Sequence, residues 1–320
     1  MPLPYKVEII NPSQKETLMS KFYSSSLYER KALIHGTCIK MFSDSHTFKD
    51  MWEDNFEQLP DWIRPHARLF SICDGKGKRA ARMKVRYEPI SKTVIIENCD
   101  YYGYVKSIAL ALVADFLEDF TSEHRRYSVH GSFVDAGGRG IAIIGPSGSG
   151  KTTLTYGLLL DKHYNFVTDD WFFVRFANND TLIYSSEKNS YIRGNLAQNW
   201  PQYASRLADT QKDEKDRAVI DVKRLLGGDR IRTDSTLQST VILTRDKKLD
   251  PFSEMSGKDA LAYLVKNDFC NPHQLVRSPE KMEKRRKFYS EFLGRAPVYL
   301  LNTIESPKES LERIKKLSGC

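Results

Sequence analysis

The most constraining feature of this chain is the octapeptide GPSGSGKT, Gly145 to Thr152, set between an apolar run, GIAII, and a second apolar run, TLTYGLLL. It fills every fixed position of the G-x-x-x-x-G-K-[ST] pattern, and its flanks predict a strand before it and a helix after it. Gly145, Gly148 and Gly150 permit backbone dihedrals and close approaches that a Cβ would block. The loop's N–H groups can then point inward as a concave anion site, and the following helix adds its positive end. Gly145, Pro146, Ser147, Gly148, Ser149, Gly150, Lys151, Thr152 and Thr153 are therefore the expected phosphate-binding set. Lys151 is placed to reach the outer phosphates. The Thr152 hydroxyl is a hard oxygen donor of the kind Mg²⁺ takes.

A second signal lies one helix downstream. NFVTDDWFFV places Asp169 and Asp170 at the end of an apolar strand. Beside a phosphate loop, one such carboxylate can hold Mg²⁺ while the other takes a proton from an attacking hydroxyl. The surrounding runs YSVHGSFVDAG, GIAIIG, TLIYSS, STVILTR and APVYLLNT read as further strands, giving an α/β core. Earlier, ARMKVRYEP alternates apolar and basic residues and pairs naturally with ISKTVIIEN as a hairpin. The window from Tyr104 repeats Val105, Ile108, Leu112 and Phe116 at helical spacing, which predicts an amphipathic helix joining two halves. The expected organisation is a smaller α+β region over 1–100 and a nucleotide-binding domain over 101–320. The tail from Pro307 predicts a helix with Leu311, Ile314 and Leu317 on one face.

Composition narrows the class. The 320 residues are 40% hydrophobic and 28% charged, an ordinary globular balance in which disorder is not the default, and the formal charge of +8 favours anionic ligands without choosing among them. Cys38, Cys73, Cys99, Cys270 and Cys320 form no close pairs, arguing against a disulfide framework or a zinc knuckle. MPLPYKVEIINPSQKE lacks the features of a signal peptide, and the most apolar helical window contains Lys106, Asp115, Glu118 and Asp119. A cytoplasmic protein without a membrane span is expected.

Taken together, VHGSFVDAGGRGIAIIGPSGSGKTTL and FVTDDWFFV resemble the HPr kinase/phosphorylase family, which is related to the ATP-dependent phosphoenolpyruvate carboxykinases. Val129–His130–Gly131, the Gly145–Thr152 loop and Asp169–Asp170 stand in the family's order. VIDVKRLLGGDRIR resembles a later family segment through Ile220, Asp221, Val222, Leu225, Gly227 and Ile231. The resemblance covers about residues 125–245 and leaves out the first hundred. It implies a P-loop core of the HPr kinase/carboxykinase type and an ATP- and Mg²⁺-dependent kinase acting on a hydroxyl of a protein serine or a small molecule. It also implies His130 beside the phosphates, Asp169 as base, Asp170 with Thr152 as metal ligands, and a homo-oligomer. The family has an arginine just before its I-I-D-V. Here Arg217 is displaced by two residues, and Arg193 in YIRGN lies further upstream. Arg217 joins Asp169, His130 and Lys151 as the catalytic set.

Two other readings stay open at this level: a carboxykinase-like lyase, and a nucleotide-binding switch or scaffold without phosphotransfer. GKGKRAARMKVR and EKMEKRRKFYSEF are basic runs near aromatics, but no RNA-binding pattern accompanies them, so nucleic acid is the weaker partner. Gly227–Gly228 with Arg230 and Arg232 reads equally as a second phosphate loop or a surface turn. CNPH, Cys270 to His273, reads as a loop and not a metal site, and Trp171 reads as core.

Overall fold

The computed structural model describes residues 3–22, 26–73, 82–193, 196–208, 210 and 217–318, with the side chains of 189, 191–193, 217–220 and 318 left aside. It is a mixed α/β structure of two compact units, Met1–Thr121 with His273–Ser278, and Ser122–Pro272 with Pro279–Cys320. Among the described residues no helix is long and apolar enough to cross a membrane.

The first unit holds strands β1 (Val7–Ile9), β2 (Tyr28–Ile34), β3 (Thr37–Ser43), β4 (Glu57–Gln58), β5 (Ala67–Ile72), β6 (Lys84–Glu88) and β7 (Thr93–Glu97). They form one mixed sheet in the order β1-β6-β7-β5-β3-β2-β4. The period-two pattern works as expected in β6. Val85 and Tyr87 are buried, while Arg86 pairs with Glu8 and Glu97. Glu88 then accepts from Ile90 N at 2.7 Å and Ser91 N at 3.0 Å, which tightens the turn into antiparallel β7. The helix Tyr102–Asp119 departs from expectation. Fifteen of its 18 residues are buried, so it is a core helix and not an amphipathic joint. Its polar members are absorbed: Asp115 takes hydrogen bonds from Tyr87 and Lys92. The helix packs on β3 and β5. The first unit therefore extends past the boundary at 100 read from the sequence, to Thr121.

The second unit is built on β8 (Tyr127–Ala136), β9 (Arg139–Ile144), β10 (Asn165–Thr168), β11 (Trp171–Ala177), β12 (Asp180–Ser185), β15 (Asp234–Thr244), β16 (Phe252–Met255) and β17 (Val298–Asn302). A separate hairpin pairs β13 (Asn189–Arg193) with β14 (Arg217–Asp221). β8 and β9 are joined by a tight turn whose Gly138 N–H donates to Asp135 Oδ1 at 2.9 Å. β9 runs parallel to β15, and β15 parallel to β17, so Ile144, Thr244 and Asn302 end at one edge. β10 and β11 both lie antiparallel along β8. Two apolar clusters fill the unit. One joins Val134, Ile141, Leu154, Trp200 and Leu311, and the other joins Phe133, Ala142, Phe172, Phe269 and Phe292. The C-terminal helix Pro307–Lys315 buries Leu311 and Ile314, with Leu317 packed against the same cluster.

Candidate functional site

The glycine-rich loop leaves β9 at Ile144 and enters the helix Lys151–Leu158. Two of its glycines are obligatory for identifiable reasons. A Cβ on Gly145 would come within 2.8 Å of Leu243 Cβ, and Gly150 has φ +104°, which L side chains rarely adopt. The turn closes through Ser149 N–H to Pro146 O at 3.2 Å, and the helix begins with Leu154 N–H to Gly150 O at 2.9 Å. Thr155 Oγ1 donates to Ser132 Oγ at 2.7 Å and ties that helix to β8. Lys151 folds back on the loop, its Nζ donating to Gly145 O at 2.7 Å and Pro146 O at 3.3 Å. Burial pushes the Lys151 pKa down, and the carboxylates of Asp170 and Asp169 oppose that shift by attraction. Ser149 Oγ is buried without a hydrogen-bond partner. A folded-back lysine, a buried hydroxyl and a glycine cradle suit an anionic ligand.

Asp169 and Asp170 occupy the two-residue turn between β10 and β11. β8 holds that turn, since Gly131 N–H donates to Asp170 O at 2.9 Å. His130, one residue earlier on β8 and paired in register with Trp171, is buried and meets the Trp171 ring edge-on. His130 Nδ1 lies 2.7 Å from Cys270 O. A carbonyl only accepts, so Nδ1 carries a proton. Nε2 then faces Asp170 Oδ1 at 3.4 Å. The structure thus gathers His130, Lys151, Asp169 and Asp170 at one end of the sheet. Thr152 stands in the first turn of the helix beside them.

Sequence reasoning missed the Cys270 carbonyl. It is presented by three consecutive non-glycine residues in the left-handed region, Asp268, Phe269 and Cys270, with φ between +51° and +53°. Phe269 is buried and stacks on Tyr289 at 5.0 Å, which helps hold the turn. Such a run is costly and persists only where packing over-determines it. No local sequence signal marks it. Burial raises the Cys270 thiol to about 11, so it stays protonated near neutrality.

Among the described residues, no cluster of three or more His, Cys, Asp or Glu forms a ready metal cage. A divalent cation would draw here on Thr152 and Asp170 together with ligand oxygens, a hard-donor set that fits Mg²⁺. Arg193 and Arg217, the two arginine candidates, stand directly opposite each other across β13 and β14, and their side chains lie outside the described residues.

Other expectations resolve toward structural roles. Arg230 donates to Asp161 O and Tyr164 O and ties its turn to the segment before β10, while Arg232 donates to Asp229 O within its own turn. In the second basic run, Lys281 and Arg285 are buried, while Lys284 and Arg286 pair with Glu280 and Glu283. This breaks up a continuous basic face. Lys76, Lys78 and Arg79 of the first run, and 211–216, lie outside the described residues.

Sequence comparison places relatives beside this geometry. The HPr kinase/phosphorylase of Chlorobium limicola is 34% identical over 84 residues, covering 26% of this chain and 24% of that protein. The HPr kinase/phosphorylase of Prosthecochloris aestuarii is 28% identical over 132 residues, covering 41% of this chain and 33% of that one. The chain thus spans about a quarter to a third of the length of these curated relatives. No family model matches the chain. A solved structure, that of the Hpr(Ser) kinase/phosphatase from Coxiella burnetii, aligns at 17% identity with a TM-score of 0.35, covering 60% of this chain and 97% of that one. The curated similarities support an HPr kinase-like family.

Proposed function

We propose that this chain is an ATP- and Mg²⁺-dependent phosphotransferase that moves the γ-phosphoryl group to a hydroxyl acceptor. The observation that carries the reading is the meeting of His130 and Asp170 at 3.4 Å on the lip of the glycine-rich loop, with both carboxylates near enough to favour the charged form of Lys151. The relatives' names point the same way, since they are kinases by name.

In this reading the loop's N–H groups and Lys151 hold the β- and γ-phosphates. Thr152 and Asp170 would hold Mg²⁺, which would supply neutralisation of the phosphate charge. Asp169 accepts the proton of the acceptor hydroxyl. That oxygen bonds to the γ-phosphorus as the bridging P–O bond breaks, and the electron pair leaves with ADP. His130, with Nδ1–H fixed on Cys270 O, keeps Nε2 toward Asp170, where a proton on Nε2 as well would let the imidazolium donate to the metal-side carboxylate. Arg217 is the proposed partner of the transferring group. The acceptor is a protein serine or a small-molecule hydroxyl.

The test is transfer of label from [γ-³²P]ATP with Mg²⁺ into the protein and small-molecule fractions of a cell lysate. Asp169→Asn and Lys151→Ala are run beside the wild type. Label in one fraction, lost in both variants, is expected and identifies the acceptor class. ATP binding without transfer would overturn the kinase reading and leave a nucleotide-binding switch. Phosphoenolpyruvate formed from oxaloacetate would point to the lyase.

A further inference from the structure

The glycine-rich loop accounts for phosphates, and nothing so far accounts for the rest of a nucleotide. The reacting end is fixed by His130 and Asp170, which lie on the β8 side of β9. A nucleotide laid along the loop therefore carries its other end toward the opposite neighbour of β9, the end of β15, and the end of β17 that pairs with β15. In parallel sheets, ligands collect beyond the carboxyl ends of the strands, and these two strands end there beside Ile144.

Thr303, just past β17, donates from Oγ1 toward Ser149 O at 2.9 Å, and its Cγ2 lies 3.9 Å from where a Cβ on Gly150 would be. It is thus in contact with the phosphate loop itself. Arg245, just past β15, uses Nε on Thr303 O at 3.2 Å and is exposed. Its planar guanidinium is held against the strand end by one nitrogen. Fully buried Asn302 shapes the loop that follows Arg245. Its Nδ2 donates to Asp246 O at 2.5 Å and Leu249 O at 2.9 Å, and its Oδ1 accepts from Asp246 N–H at 3.0 Å. On this braced scaffold stand two of the exposed large apolar side chains among the described residues, Leu249 at 42% and Ile304 at 45% exposed.

We propose that Arg245, Leu249 and Ile304, at the ends of β15 and β17, form the seat of the nucleobase belonging to the nucleotide whose phosphates the Gly145–Thr152 loop holds. The proposal rests on the phosphate-loop reading and adds the base-binding half of the site. Exposed aliphatic side chains give a flat apolar contact, and a guanidinium stacks on the π-face of a base. Asn302 supplies the preorganisation that makes such a small contact worthwhile.

The test compares MgATP with magnesium tripolyphosphate by titration calorimetry on the full chain. Two variants keep the charge constant, Leu249→Ser/Ile304→Ser and Arg245→Lys. All three positions are exposed or near it, and each variant's melting curve checks its fold. Wild type is expected to bind MgATP more tightly than tripolyphosphate. The double variant should weaken MgATP by about five- to tenfold, and Arg245→Lys by a few-fold, with tripolyphosphate unchanged within about twofold. Equal wild-type affinity for the two ligands would overturn the base seat. So would variants that leave MgATP untouched, or that weaken both ligands in parallel. Wild type that binds neither ligand, with Lys151→Met indistinguishable from it, would instead sink the phosphate-loop reading and take the base seat with it.

Discussion

Lys151→Met separates the two roles of the buried lysine. In the ligand-free protein the ammonium group makes two hydrogen bonds to loop carbonyls, and burial works against its charge. Losing the bonds costs about 1 kcal/mol each, and relieving the partly buried charge returns a similar amount. The net change is about 1 kcal/mol or less, a shift of about 2–4 °C at most for a unit of this size. Tripolyphosphate changes the balance. At a concentration of about 100 Kd, binding stabilises the wild type by about 2.7 kcal/mol, or about 5–11 °C. A lysine–phosphate contact contributes about 2–3 kcal/mol, so its loss weakens binding by about 30- to 150-fold. At the same ligand concentration the variant would gain only about 0.3–0.9 kcal/mol, about 1–3 °C. Differential scanning fluorimetry with and without magnesium tripolyphosphate reads both effects. A variant that melts like wild type and still shows the full ligand shift would refute the assignment of Lys151 to phosphate.

The depressed Lys151 pKa also sets a pH dependence. In the alkaline range between its folded and unfolded values, the unfolded chain holds a proton that the folded chain has released, so stability relative to Lys151→Met should rise with pH while phosphate binding weakens; paired urea titrations read the first and calorimetry the second. Asp169→Asn should lower the rate of label transfer by about 10²–10⁴-fold with a much smaller change in ATP affinity, as expected of a general base; equal losses in both would remove Asp169 from that role. His130→Asn keeps an N–H able to donate to Cys270 O and should melt near wild type while transfer falls. His130→Ala also strips the donor from a buried carbonyl and should cost about 1–3 kcal/mol by urea unfolding. Gly157→Ala drives a Cβ to 2.6 Å from the Trp200 ring, which is pinned through Nε1 to Thr153 O, so overpacking of about 1–3 kcal/mol is expected; an unchanged urea midpoint would show that Trp200 moves freely.

What the sequence discloses is what is local. The glycine-rich loop and the acid pair announce themselves because each is a contiguous stretch whose chemistry depends on its own backbone. The β6–β7 hairpin was legible because its side chains alternate across a half-buried sheet. The helix Tyr102–Asp119 misled because Lys106, Asp115 and Asp119 look like a solvent face. In the fold, Asp115 and Asp119 take Lys92 from the turn between β6 and β7. The arginines of GGDRIR could not be assigned from spacing, since their partners are backbone carbonyls, some of them more than sixty residues away. Facing Arg193 and Arg217 across one hairpin was likewise invisible, because the two segments are separated by more than twenty residues and pair only after folding.

The part least readable from the sequence is also the part that gives the site its direction. Strands β8, β10 and β11 bring the acid pair to His130, but the strands alone do not decide which imidazole nitrogen faces Asp170. That choice is made by a carbonyl 140 residues away, on a turn of three left-handed residues buttressed by Phe269 against Tyr289. The orientation of the acid side is therefore a property of the core around Phe269, whereas the cradle on β9 is a property of its own glycines. Substitutions in the two places should fail differently. Changes at Phe269 should leave the loop able to take phosphate while transfer falls, and changes at Gly145 or Gly150 should remove phosphate binding itself.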